Sequence, residues 1–241
     1  AYEITNRLVG SEMCIRDRAG LLIEGYEELN TMITWYHYPY QKEHLKKLGF
    51  SKLAEWVEYK IKIFSAEDAP EKVKKFSKII QQRYELKVLN FKSRKEIIPY
   101  VDKMFELLNV TYSNLQTYVT IKQYQIDFYK EKFIKYIHPD FIKCCLDKDH
   151  NLIAFLITMP SFSRALKKIN GKMGLMGYLR LFKAQHFNDR VSLYLIGVDP
   201  KYQSKGVTAV IFNELQNTFN KRGIVEVCLL YTSDAADDDT R

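Results

Sequence analysis

Residues 191–222 read VSLYLIGVDPKYQSKGVTAVIFNELQNTFNKR and connect two apolar patterns through a short polar segment. The run 191–198 consists of Val, Leu, Ile and Tyr apart from Ser192 and Gly197, a composition that predicts a buried strand. In 207–222 the apolar residues recur every three or four positions, which predicts a helix. The stretch therefore predicts a strand, a loop and a helix in succession, which is a unit of α/β folds.

The loop between these two elements has the chemistry of an anion site. The backbone N–H groups from Gln203 to Thr208 lie at the start of the predicted helix, where they lack intrahelical acceptors and the helix dipole is positive. Gly206 lacks the Cβ that would keep a phosphate away from the backbone, and Lys205 adds a positive charge. An ordinary strand-to-helix turn that contains a glycine is the alternative.

The residues before this stretch predict further helices and strands. FIKCCL and LIAFLIT, separated by DKDHN, predict a β-hairpin, and 161–188 has helical character. Ser93 with Glu96, and Thr120 with Gln123, predict the starts of two helices, and LKVLNF precedes them as a short strand. The order over 86–227 is strand, two helices, two strands, a helical segment, strand, loop, helix and strand.

An earlier block occupies 19–64. Leu21, Leu22 and Ile23 are expected to form a short buried strand, and a helix is expected after Pro39, ended by Gly49. From Trp56 onward, apolar and charged residues alternate, which predicts a strand with one buried face; the apolar set is Val57, Tyr59, Ile61 and Ile63. A helix within 65–85, with its apolar stripe at Val73, Phe76, Ile79 and Ile80, is expected to link the two blocks.

The loop also carries a family resemblance. Val198-Asp199-Pro200 followed by Gln203-x-x-Gly206-x-Thr208 resembles the Q/R-x-x-G-x-G/A pyrophosphate loop of the GCN5-related N-acetyltransferases, the GNAT superfamily. Thr208 departs from the usual Gly or Ala, although Ala209 follows it. The resemblance implies an α/β fold with a mixed, mainly antiparallel sheet flanked by helices.

The same resemblance implies a co-substrate, acetyl-CoA or another acyl-CoA, and no metal. The pyrophosphate would lie on the backbone amides of the loop, and the pantetheine arm would pair like an extra strand beside the end of the preceding strand. The implied binding residues are Ile196, Gly197, Val198, Gln203, Ser204, Lys205, Gly206, Val207 and Thr208. The Val198 amide would lie beside the thioester, where an oxyanion develops.

A finer resemblance is to uncharacterised bacterial proteins with two GNAT-like halves, carried by 20–52, 159–166 and 198–200. It implies that 19–64 is the C-terminal remnant of a first half, that 65–85 is a linker helix, and that 86–227 is a second, C-terminally truncated acyltransferase domain. The strings LVGSEMCIRDR and CLLYTSDAAD resemble translated sequencing adaptors, as in a metagenomic fragment. Segments 1–18 and 228–241, with Cys14 and Cys228, are therefore expected to carry no meaning.

The implied function is acyl-CoA-dependent N-acyltransfer, most simply of acetyl to a primary amine of a small molecule or peptide by direct attack. One alternative is a non-catalytic GNAT-fold module that binds CoA, or nothing, in a structural role. Another is transfer of a longer acyl or aminoacyl group to a lipid or cell-wall precursor. The catalytic residues are unknown: Glu106 and Tyr112 lie where substrate-facing residues often occur, but surface and packing roles are preferred for both.

The net charge and the composition limit the classes of partner that are expected for this protein. The 241 residues carry a net charge of +8, and +11 without the two end segments, which favours an anionic partner such as a nucleic acid, a membrane surface or a polyphosphate cofactor. The lysines are dispersed rather than clustered with aromatic residues, which argues against nucleic acid. With no long apolar run and no signal-peptide pattern, an integral membrane protein is not expected, and the expected location is the cytoplasm.

Other catalytic chemistries lack their patterns. Cys144 and Cys145 are adjacent on a predicted strand, so they face opposite sides, and buried thiols are expected. The five histidines have no metal-ligand spacing. Ser161 and Ser163 lack the Gly-x-Ser-x-Gly turn of serine hydrolases.

Overall fold

A computed structural model describes residues 20–31, 34, 36–52, 55–65, 68, 70–113, 118–133 and 137–232. The segment 1–18, including Cys14, and residues 233–241 lie outside the described residues. In chain order, the helices and strands are α1 Pro39–Lys47, β1 Trp56–Lys62, α2 Glu71–Arg83, β2 Lys87–Asn90, α3 Arg94–Tyr112, α4 Gln123–Phe133, β3 Ile142–Leu146, β4 Leu152–Pro160, α5 Ser163–Ile169, α6 Leu175–His186, β5 Arg190–Val198, α7 Val207–Arg222 and β6 Glu226–Thr232.

The strands form one six-stranded sheet in the order β1-β6-β5-β4-β3-β2. β3 pairs antiparallel with both β2 and β4, with Cys144 opposite Phe155 and Cys145 opposite Val88. The predicted hairpin of β3 and β4 is confirmed, because Asp147 accepts the N–H groups of Asp149 and Asn151 and closes the turn. The α/β class, with a mixed sheet flanked by helices, is also confirmed.

The chain divides into two compact units. The first comprises 1–60, 160–188 and 228–241, and the second comprises 61–159 and 189–227. The second unit contains β2 and β3, nearly all of β4, and β5, together with helices α2, α3, α4 and α7.

The core of the second unit lies between α3 and the sheet. The inward stripe of α3 is deeply buried and packs with Cys144 and Phe155 of the sheet; it comprises Ile97, Val101, Met104, Leu107 and Leu108. Helix α3 begins where Ser93 and Glu96 predict, with the Glu96 carboxylate accepting the Lys92 N–H. With Thr120 as its cap, helix α4 would begin at 121. It begins two residues later, at Gln123, because the Gln125 side chain binds the Lys122 N–H.

Helices α2 and α7 pack against each other in the second unit. Val207, Ile211 and Leu215 of α7 are at most 1% exposed. The outer side of α2 leaves Val73, Phe76 and Ile79 about half exposed, whereas Ile80 is buried. The apolar stripe that the sequence predicts for this helix is therefore packed along one side, at Ile80, and exposed along the other.

The expected strand at Leu21, Leu22 and Ile23 is wrong. These residues have no regular secondary structure and instead line a cavity of about 350 Å³ in the first unit, together with Trp56 and Glu58. The Leu22 N–H is bound by the Nδ1 atom of His37, so this amide is satisfied outside any sheet.

The predicted strand at Trp56 is present as β1, but the predicted apolar face is largely exposed, and the half-buried residues of the strand are Trp56 and Glu58 on the other face. Val57, Tyr59 and Ile61 are 39–46% exposed, whereas Glu58 is half-buried. Glu58 accepts from the N–H and the hydroxyl of Thr31, both at 3.5 Å, so its polar side turns toward the preceding segment. Burial raises the pKa of the Glu58 carboxyl.

Candidate functional site

The C-terminal end of β5 presents backbone groups in a defined direction. The Asp199 N–H donates to the Ile153 carbonyl of β4 at 2.8 Å. Because the N–H and C=O of one trans peptide point in opposite directions, the Val198 carbonyl points away from β4. The Ile196 carbonyl points the same way, since strand geometry repeats every two residues. The N–H of Val198 shares that direction with its own carbonyl.

Side chains already bind both of these carbonyls. The Tyr112 hydroxyl donates to the Ile196 carbonyl at 2.9 Å. The Val198 carbonyl accepts from the Gln203 side chain at 3.1 Å, and the Thr111 hydroxyl, which donates to the Leu107 carbonyl at 2.8 Å, lies 3.4 Å from it. The last turn of α3 and the loop after β5 therefore converge on the strand end.

The loop after β5 is a tightly bonded turn. The Asp199 carboxylate accepts the Lys201 N–H at 2.8 Å, and the Asp199 carbonyl accepts the N–H groups of Tyr202 and Gln203 at 2.7 and 3.1 Å. The Lys205 N–H donates to the Tyr202 carbonyl at 3.3 Å. The sequence predicted that the backbone N–H groups from Gln203 onward are available to an anion. This prediction is wrong for Gln203 and Lys205, whose N–H groups form hydrogen bonds within the turn.

The start of α7 retains the anion-site geometry. Ser204 and Gly206 both have left-handed backbones, with φ of 61° and 77°, on either side of Lys205. Left-handed residues occur in concave backbone turns that bind anions, although here the Lys205 N–H between them is bonded to the Tyr202 carbonyl. α7 begins at Val207, so the N–H groups of its first turn have no acceptor within the helix.

Gly206 is required for packing as well as for its φ. A Cβ at this position would lie 3.0 Å from the Phe76 ring and 3.2 Å from Ile80, both on α2. The space that the missing side chain leaves therefore faces a neighbouring helix. The sequence interpretation, in which Gly206 makes room for a phosphate, did not include this contact.

Lys205 has a defined position despite its exposure. Its Nζ atom lies 4.9 Å from the centre of the Tyr202 ring and 5.7 Å from that of Tyr84. Cation–π attraction of this kind holds an ammonium near aromatic faces without neutralising its charge. Tyr202 is anchored in turn by a 3.4 Å hydrogen bond from its hydroxyl to Asp147.

Gly197 is buried within β5 for a steric reason. A Cβ at this position would lie 2.5 Å from a ring carbon of Phe155, whose side chain is 1% exposed. The aromatic ring thus lies over the β5 backbone at Gly197, one of the residues that the resemblance assigns to pantetheine binding.

The predicted site residues lie along one continuous path in the second unit. Ile196 and Val198 are half-buried at the strand end, whereas the side chains of Gln203, Ser204, Lys205 and Thr208 are exposed. Val207 is 1% exposed, so only its backbone is available. Thr111 was not predicted, and neither was the role of Tyr112, because no local pattern marks a helix end that contacts a strand 84 residues later.

The prediction that Cys144 and Cys145 are buried thiols is confirmed. Cys144 and Cys145 are fully buried, and burial raises the pKa of both thiols, that of Cys145 to about 12. Among the described residues, no group of His, Cys, Asp and Glu side chains could hold a metal ion. Within the same residues, no helix is both long enough and apolar enough to cross a membrane.

Comparison with known proteins supplies the family. The model of the acetyltransferase (GNAT) family matches residues 103–239, more than half of the chain. Protein YghO of Escherichia coli (strain K12) is 22% identical over 220 residues, which are 87% of this chain and 54% of YghO. The chain therefore spans about half the length of this curated relative.

Solved structures of related proteins are also similar. A GCN5-related N-acetyltransferase from Sphaerobacter thermophilus is 9% identical, with 80% of this chain and 47% of that chain covered, at a TM-score of 0.49. The PaiA N-acetyltransferase from Thermoplasma acidophilum, in complex with coenzyme A, is 14% identical, with 60% and 77% covered, at a TM-score of 0.37. On the extent of the family match, this chain belongs to the acetyltransferase (GNAT) family.

Proposed function

We propose that this protein is an acyl-CoA-dependent N-acyltransferase, which most simply transfers acetyl from acetyl-CoA to the primary amine of a small molecule or peptide. The observation that carries the proposal is the turn at the start of α7. Left-handed Ser204 and Gly206 flank the cationic Lys205 there, at the N-terminus of a 16-residue helix.

The turn supplies what a diphosphate needs. In this proposal the backbone N–H groups of Gly206, Val207 and Thr208 bind the diphosphate, because N–H groups at the start of a helix lack acceptors within it and the positive end of the helix dipole adds to them. Lys205 contributes a full positive charge at the same place. In this assignment, Gln203 acts through its side chain, which already lies at the end of β5.

The strand end supplies the second part of the site. The N–H and carbonyl of Val198 point away from β4, where a pantetheine amide can pair with them as a neighbouring strand would. The Val198 N–H would then stabilise the oxyanion as the amine attacks the thioester carbonyl. The attacking nitrogen gives up a proton and the thiol of CoA leaves.

The contacts at the strand end favour a second candidate. Because Tyr112 and Gln203 already donate to the Ile196 and Val198 carbonyls, a pantetheine amide has to compete with these side chains for the same acceptors. If these hydrogen bonds persist in the presence of acyl-CoA, the protein would have a GNAT fold without transfer activity. Binding and turnover are therefore separate measurements.

Binding is tested by thermal unfolding of the full chain with acetyl-CoA. A ligand at 100 times its dissociation constant stabilises a protein by about 2.7 kcal/mol, which shifts the midpoint by several degrees. Lys205→Glu should abolish most of the shift. Lys201→Glu is the matched control, because Lys201 is exposed in the same turn and its N–H is bound by Asp199. No shift for the folded unmodified chain rejects the acyl-CoA proposal.

Turnover is tested by chromatographic detection of free CoA in the presence of primary amines. Release of CoA that depends on an amine supports the enzyme, whereas binding without release supports the second candidate. Replacing acetyl-CoA by a long-chain acyl-CoA in the same assay tests transfer of a longer acyl group. A strong preference for the long-chain acyl-CoA would indicate that the protein transfers a longer acyl group rather than acetyl.

A further inference from the structure

Helix α6 in the first unit turns a large apolar surface outward. Leu175 is 78% exposed, Phe187 just beyond the helix is 74% exposed, and all the others in the set are at least half exposed. The set comprises Met173, Leu175, Met176, Tyr178, Leu179, Phe182 and Phe187. Folded proteins seldom leave so many large apolar side chains together in water, and such patches mark interaction surfaces.

The opposite side of α6 is the packed one. Gly177 is its buried residue, and a Cβ there would lie 3.2 Å from the Lys172 carbonyl and 3.7 Å from Ile169. α6 therefore lies closely against α5 through a glycine. At 100° per residue, the exposed apolar positions within the helix span an arc of about 160° on the other side. The helix thus has the reverse of the usual arrangement, in which the apolar face is buried.

The charge of this segment is one-sided. Residues 163–188 contain no Asp or Glu and six Lys or Arg residues, all with exposed side chains: Arg164, Lys167, Lys168, Lys172, Arg180 and Lys183. On α6, Lys183 lies within the apolar arc and Arg180 lies next to its edge. The surface therefore combines exposed Leu, Met and Phe side chains with a segment of net positive charge.

The positive charge of this segment indicates which kind of partner would bind the apolar surface. A purely apolar protein partner would cover the arc but would not balance the net positive charge of the segment. An anionic phospholipid surface takes both, because its headgroup phosphates pair with Lys and Arg while the acyl boundary takes up the apolar side chains. The 12-residue helix is about 18 Å long, so it can lie in the interface but cannot cross it.

We propose that α6, with its basic flanks, docks this protein on an anionic membrane surface. Leu175, Leu179 and Phe182 enter the boundary between headgroups and acyl chains, and Tyr178 lies near the headgroups. The lysines keep their ammonium groups in the headgroup layer while their methylene stems extend the apolar surface. This docking is independent of acyl transfer, which the acetyl-CoA measurement tests by itself.

The test is flotation of the full chain with vesicles. Vesicles of phosphatidylcholine mixed with phosphatidylglycerol should bind at least about tenfold more protein than vesicles of phosphatidylcholine alone, and high salt should reduce the difference. Leu175→Ser with Phe182→Ser should lower binding to the anionic vesicles by about tenfold or more. Lys167→Gln with Lys168→Gln and Lys183→Gln should remove the preference for them.

The matched control is Tyr124→Ser with Phe128→Ser on α4, which replaces two side chains that are 68% and 51% exposed in the second unit. This variant should bind like the unmodified chain, and circular dichroism should show that every variant is folded. Equal binding to both vesicle types, no binding, or full binding by the folded Leu175 and Phe182 variant overturns the proposal. Self-association that the same variant abolishes would instead assign the surface to a second copy of the chain.

Discussion

The hydroxyl of Tyr112 donates a 2.9 Å hydrogen bond to the carbonyl of Ile196 and so joins the end of α3 to the end of β5. The carbonyl is one that points away from β4, toward the position proposed for pantetheine. A side chain and a co-substrate are therefore expected to compete for the same acceptor.

Tyr112→Phe should lower the free energy of unfolding by about 1 kcal/mol, because one hydrogen bond is lost. The same variant should bind acetyl-CoA more tightly, since no hydroxyl has to be displaced from the Ile196 carbonyl. Urea unfolding and an acetyl-CoA titration measure the two effects. Tyr118→Phe is the control, because its hydroxyl donates to Asn109 and does not contact β5. Weaker acetyl-CoA binding by Tyr112→Phe would contradict the competition.

Gly206→Ala should destabilise the protein by about 2 kcal/mol through two effects. A positive φ costs an alanine about 1 kcal/mol, and the new methyl group must displace the Phe76 ring from 3.0 Å. Gly49→Ala isolates the first effect, because Gly49 has φ of 84° and nothing within 4 Å of its added Cβ. Denaturant unfolding should show a larger loss at 206 than at 49. Equal losses would mean that the contact with Phe76 costs nothing.

Gly197→Ala should destabilise the protein by about 3 kcal/mol, because the added Cβ would lie 2.5 Å from the buried Phe155 ring. Phe155→Leu in the same chain should recover part of this loss, since the smaller side chain makes room. Chemical unfolding of both single variants and the double variant gives the coupling between the two positions. Additive losses in the double variant would show that the ring is not the obstacle.

Glu58→Gln should stabilise the protein at neutral pH and not in acid. Burial raises the pKa of the folded carboxyl above its ordinary value of 4.5, so the folded state holds its proton to higher pH than the unfolded state. Stability from this group is therefore present below about pH 4.5 and is lost as the pH rises through the folded pKa. Glutamine removes this loss.

Unfolding of Glu58→Gln and of the unmodified chain at a series of pH values measures the difference. Glu55→Gln is a control of opposite sign, because a 2.6 Å ion pair with Lys52 lowers the pKa of the Glu55 carboxyl. The Glu55 variant should lose stability relative to the unmodified chain as the pH rises. A difference between the Glu58 variant and the unmodified chain that does not change with pH would reject the assignment.

Local patterns predicted those elements whose signals lie within a few residues. The hairpin of β3 and β4 follows from two apolar runs around a polar turn, and α1 ends at Lys47, two residues before Gly49, which has the expected left-handed backbone. The succession of β5, loop and α7 follows from a change of apolar period at a glycine-containing loop. Each of these depends on contacts between neighbours in the chain, so the residues alone carry the information.

Contacts between distant segments decided the rest. Leu21 to Ile23 line a cavity rather than form a strand, because the Leu22 N–H binds His37, and β1 turns Glu58 inward because Thr31 supplies its donors. The sequence by itself determined the α/β order and the loop that identifies the family. Only the tertiary structure decided that Tyr112 reaches Ile196 and that Gly206 rests against Phe76, since hydrogen bonding and steric exclusion depend on positions that the folded chain brings together.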